Sequence, residues 1–113
     1  MCTQQTLQEI LHKLYEKMRL LLGDTIREFI LYGSYARNEA EEGSDIDVMI
    51  LTDMGREEVS TLTWKIGEIM GDLVLEYGIL VAPIIENREF FYDFINVMPF
   101  FRNVHVEGVR ISA

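Results

Sequence analysis

Two short apolar runs, Ile26 to Tyr32 and Asp45 to Leu51, split by a polar stretch, constrain this chain more than any other feature. Each is too short for an ordinary helix and rich in Ile, Leu, Val and aromatic residues, so each reads as a strand. The second run carries two aspartates, Asp45 and Asp47, among Ile46, Val48, Met49, Ile50 and Leu51. Aspartate is depleted in strands. Residues two apart on a strand point the same way, with α-carbons roughly 6.6 Å apart. The two carboxylates therefore converge on one patch while Ile46, Val48 and Ile50 bury the other side. Like charges so close repel unless a cation lies between them. Mg²⁺ takes one or two carboxylates together with substrate phosphates, which makes Asp45 and Asp47 candidate metal ligands. The plain alternative is a polar strand end facing solvent.

Gly33 and Ser34 break the first run and precede a predicted short helix, Ser34 to Arg37. Glycine lets the backbone approach a ligand closely, and Ser34 adds a hydroxyl beside exposed N–H groups. Arg37 lies one turn further on, where its guanidinium can clamp a phosphate. Gly33, Ser34 and Arg37 are thus candidate nucleotide-binding residues, against the alternative of an ordinary turn with a solvated arginine.

The rest of the chain alternates helical and strand patterns. Leu7, Ile10, Leu11, Leu14, Tyr15, Met18 and Leu22 follow helical spacing, Thr6 and Glu9 fit a capping box, and Gly23 offers a left-handed stop. A second helix is expected from about Glu57 to Tyr77, with Gly67 and Gly71 weakening it internally. Gly78 ends it. Ile79 to Ile85 reads as a strand buried on both faces, although Pro83 favours an edge or a bulge. Short helices follow around Arg88 to Ile95 and from Pro99, and Gly108 precedes a brief Val109-Arg110-Ile111 segment. The expected order is α-β-α-β-α-β-α-α. It implies an α/β (α+β) fold, a small mixed sheet flanked by helices, as one domain over residues 1–113.

Ten basic against 19 acidic residues give a formal net charge of −9, which counts against direct nucleic-acid binding. Any bound phosphate compound needs a cation with it. The one cysteine, Cys2, has no base fixed beside it and reads as a terminal residue. The first residues lack the basic-then-apolar pattern of a secretory leader, and no window approaches 18 uninterrupted apolar residues. A cytoplasmic protein without a membrane span is the expectation.

The spacing Gly33-Ser34, ten residues, then Asp45-Ile46-Asp47 resembles the signature of the DNA polymerase β-like nucleotidyltransferase superfamily, in particular its minimal nucleotidyltransferase branch. The flanks agree: Leu31-Tyr32 and Ala36-Arg37 around the turn, Ser44 before the acids, Val48 to Leu51 after them, and Glu107-Gly108-Val109 near the end. The resemblance implies Mg²⁺-dependent transfer of a nucleoside monophosphate, usually AMP from ATP, to an acceptor. Asp45 and Asp47 then carry the metal and the catalysis, and two metal ions are possible. It also implies an antitoxin-like subunit with a HEPN-like protein as partner and acceptor. Relatives often carry a third carboxylate on the strand after the long helix. Ile79 to Ile85 has none, which leaves Glu86 as the candidate, ahead of Glu76. Asn38 stands where relatives commonly have glycine. Two rivals follow: an aminoglycoside-type nucleotidyltransferase, and a catalytically degenerate nucleotide- or partner-binding module.

Overall fold

The computed structural model describes residues 2–111. Helix α1 (Gln4–Leu22) leads into strand β1 (Ile26–Tyr32), and β2 (Ile46–Thr52) follows the polar loop. Helices α2 (Arg56–Ser60) and α3 (Thr63–Tyr77), strand β3 (Val81–Asn87), helices α4 (Arg88–Asp93) and α5 (Pro99–Glu107) and strand β4 (Val109–Arg110) complete the order. The four strands form one mixed sheet in the order β3-β2-β1-β4. β1 runs antiparallel to β2 and β4, and β3 runs parallel to β2.

Side-chain alternation divides two cores across this sheet. Phe29, Leu31, Ile46, Val48 and Ile50 face one side and pack with Leu7, Ile10, Leu14 and Met18 of α1 and with Leu73 of α3. Ile30, Tyr32, Met49 and Leu51 face the other side, under Phe91 of α4 and Phe101 and Val104 of α5. The period of two thus settles which face each aspartate of the second run shares.

Several boundaries differ from the sequence expectation, each for a local reason. Thr3, not Thr6, caps α1: its hydroxyl accepts the Thr6 N–H at 3.1 Å. Gly23 stops the helix at φ +63°, as expected. The single helix expected over 57–77 is two, because hydroxyls compete for its carbonyls. Ser60 Oγ donates to Glu57 O and Thr61 Oγ1 to Glu58 O, both at 2.6 Å, while Gly67 and Gly71 are absorbed within α3. β3 begins two residues later than expected and is an edge strand. Ile84 there is 40% exposed, so the expectation of burial on both faces is corrected and Pro83 needs no bulge.

Candidate active site

The chain arrives at the site along β1, whose last residue, Tyr32, is paired with Asp47 of β2. Gly33 follows at φ +78°, a conformation that L side chains rarely adopt. Its open side faces Asp47. A β-carbon added at Gly33 would collide with Asp47 Oδ2 and stand 3.2 Å from Cγ. Glycine is therefore required twice, by the backbone and by the carboxylate beside it.

Residues 34–38 form consecutive turns, not the expected helix. The Ala36 and Arg37 N–H groups both donate to Gly33 O, at 3.0 and 3.1 Å, and Glu39 N donates to Ser34 O at 2.9 Å. Asn38 closes the turn at φ +57°, the left-handed geometry that asparagine tolerates. Among the described residues, the Ser34 and Tyr35 N–H groups have no protein acceptor. They are donors available to an anion at a glycine turn.

Ser44 fixes the other end of the loop. Its Oγ accepts the Glu41 N–H at 2.9 Å, and its own N–H donates to Glu41 O at 3.0 Å. Asp45 comes next, exposed and one residue before β2 begins, and Asp47 is half-buried within the strand. Burial pushes the Asp47 carboxyl above its ordinary range, the Asp45 charge adds to this, and Arg37 offsets part of it. The two acids and Arg37 therefore share one electrostatic neighbourhood. Tyr32, buried beside Asp47, has its phenol pushed up to about 12, first by burial and then by the Asp47 charge. Its ring packs edge-on against Phe100 of α5, with centroids 5.7 Å apart.

Arg37 is held by two acids. Its Nε donates to Glu39 Oε1 at 2.6 Å and its Nη1 to Glu107 Oε1 at 3.1 Å. Gly33, Ser34, Arg37, Asp45 and Asp47 are thus brought to one end of the sheet.

Glu86 is not. It pairs with Leu51, four residues along β2 from Asp47 and roughly 13 Å away. It is 7% exposed, accepts from Arg56 Nε at 3.1 Å and from the Asn87 N–H at 2.9 Å, and Arg56 stacks over Phe90. Its place is structural, tying α2 to β3. Glu76 pairs with Lys13 on α1. The neighbour of Asp47 on β3 is Ala82. Sequence reading missed Tyr32 and Ala82 as neighbours of the pair, because strand register alone reveals them. Hollows of about 470 Å³ between α1 and β4 and of about 590 Å³ against Trp64 lie away from the aspartates. Asp45 is exposed and Asp47 half-buried.

A mixed sheet flanked by helices, with a Gly-Ser turn set against two aspartates, is the arrangement of a nucleotidyltransferase. Residues 11–105 match the family described as "Nucleotidyltransferase domain", and the chain belongs to it. It is similar to several proteins of Methanocaldococcus jannaschii. It is 36% identical over 105 residues to "Putative protein adenylyltransferase MJ0604", covering 93% of both chains. It is 37% identical over 90 residues to "Putative protein adenylyltransferase MJ0141", covering 78% of this chain and 87% of that one. With "Putative protein adenylyltransferase MJ1305" the identity is 31% over 99 residues, 82% of this chain and 64% of the relative. The chain is a transferase of nucleotidyl groups.

Proposed function

We propose that this chain transfers AMP from ATP to a hydroxyl group of a protein. The observation that carries the reading is the fit of Gly33 against the Asp47 carboxylate, with Asp45 and Arg37 beside it. The names of the relatives, protein adenylyltransferases, support the choice of nucleotide and acceptor.

The residues fit a divalent cation. Burial of Asp47 and then the charge of Asp45 raise the Asp47 pKa, a penalty that a cation would relieve. Asp45 and Asp47 would hold Mg²⁺, which would supply charge neutralisation for the triphosphate. The Ser34 and Tyr35 N–H groups and the Ser34 hydroxyl would receive phosphate oxygens. Arg37 can add its guanidinium by exchanging its contact with Glu39 for a phosphate. Turnover joins the acceptor oxygen to the α-phosphorus and breaks the bond to the α–β bridging oxygen, so that pyrophosphate leaves and the hydroxyl proton passes to solvent. Catalysis of this kind comes from positioning and electrostatics.

The acceptor to test first is a HEPN-like partner protein in a cytoplasmic, antitoxin-like pair. The test is transfer of label from α-labelled ATP to such a protein or to the chain itself. Label should appear with Mg²⁺ and wild-type chain and be lost in Asp45→Asn and Asp47→Asn. One observation favours a second reading, a nucleotide-binding module without turnover: β3 offers Ala82, not an acid, beside Asp47. Binding of Mg-ATP with no transfer to any acceptor would select it.

A further inference from the structure

We infer that the site binds one divalent cation, not two, and that Ala82 is the residue that sets this number. The inference rests on the nucleotidyltransferase reading and adds the stoichiometry of its metal.

Strand register singles out the position. Asp47 is flanked by Tyr32 on β1 and by Ala82 on β3. Partners on adjacent strands lie about 4.8 Å apart and present their side chains to the same face. A third carboxylate able to share a cation with Asp47 therefore has two strand positions from which to come. One is occupied by the buried Tyr32 ring, and the other holds a methyl group.

Three acids that come near this face are committed elsewhere. Glu86 is bonded to Arg56 and to the Asn87 N–H, four residues along the strand. Glu28, opposite Leu51, receives Tyr92, Arg88 and Arg110. Glu107 receives Arg37. Among the described residues, no group of three or more His, Cys, Asp or Glu side chains is placed to hold a metal ion.

Two carboxylates suffice for one Mg²⁺ completed by phosphate oxygens and water. A second ion, about 3.5–4 Å from the first, needs further anionic ligands to offset the repulsion between the two cations. Beyond Asp45, the strand positions beside Asp47 offer none. The space beside Ala82 is open instead, since β3 is the sheet edge and Leu80 and Ile84 flank Ala82 as partly exposed residues. The acceptor oxygen can approach over Ala82.

Counting bound Mn²⁺ by electron paramagnetic resonance, in the presence of a non-hydrolysable ATP analogue, tests this. The expected ratio is one Mn²⁺ per bound nucleotide in the wild type, two in Ala82→Asp and one in Ala82→Asn. Thermal melting of each variant shows that it is folded. Two ions in the wild type would overturn the inference without any variant, as would a single ion in folded Ala82→Asp. Failure of the wild type to bind the nucleotide would instead overturn the nucleotidyltransferase site on which the inference rests.

Discussion

Gly33 and Asp47 are in contact across the end of the sheet, so a change at either is felt by the other. Alanine at position 33 meets a left-handed backbone that costs roughly 1–2 kcal/mol, and its methyl displaces the carboxylate. Gly33→Ala should lower stability by about that amount and cut nucleotidyl transfer at least ~10-fold, as read by thermal melting and initial rates. Asp47 behaves differently. Its pKa is raised above the ordinary 3.8 by burial and by Asp45, so the native state binds the proton more tightly than the unfolded chain. Its contribution to stability is complete below pH 3.8 and is lost as pH rises through the raised value. Asp47→Asn should therefore melt about 1–3 °C higher than wild type at pH 7, with no gain below pH 3.8, while losing activity. Melting curves across pH check this. At this scale the sequence was informative about spacing: two residues apart, Asp45 and Asp47 fall at the start of β2, and the Asp45 charge acts on Asp47. It failed for Glu86, because nothing in a single sequence shows that β3 continues to Asn87 or that Arg56 reaches the strand's far end.

The elements are held in register by polar ties at the end of the sheet away from the aspartates. Glu28 on β1 accepts from Tyr92 and Arg88 of α4 and from Arg110 of β4. Burial alone would raise its pKa, but these three donors together hold it below the ordinary 4.5. Its stabilising contribution is thus present above pH 4.5 and is lost as pH falls through the lowered value. Glu28→Gln should cost about 1–3 kcal/mol at pH 7, measured by urea unfolding, with the difference shrinking in acid. Thr25 and Thr52 add a hydroxyl pair at 2.7 Å between the start of β1 and the end of β2. β1, α1 and α5 were legible because an apolar stripe, Gly23 and Pro99 mark them. The break between α2 and α3 was not, since it depends on which of several hydroxyls bonds a carbonyl. The start of β3 was placed two residues early for a similar reason. A run of apolar residues does not say which two of them remain outside the pairing, and Ile79 and Leu80 do.

Across the whole molecule the formal net charge is −9, although the proposed substrate is a polyanion. Glu39, Glu41 and Glu42 are exposed on the loop beside the turn, and Arg37 is the cation that faces the aspartates there. Such a field repels free ATP and lets the Mg²⁺ complex approach at lower cost. Among the described residues no helix is long and apolar enough to cross a membrane. Trp64 and Leu75 nevertheless stand out of α3 at 80% and 87% exposure. In the proposed mechanism, Asp45 and Asp47 direct AMP transfer through a divalent cation. The most direct measurement follows label from α-labelled ATP into protein, with Mg²⁺ and then with the ion removed by chelation. Label is expected in wild type with Mg²⁺, and none after chelation or in Asp45→Asn or Asp47→Asn. Transfer that survives chelation, or that persists in either aspartate variant, would contradict it.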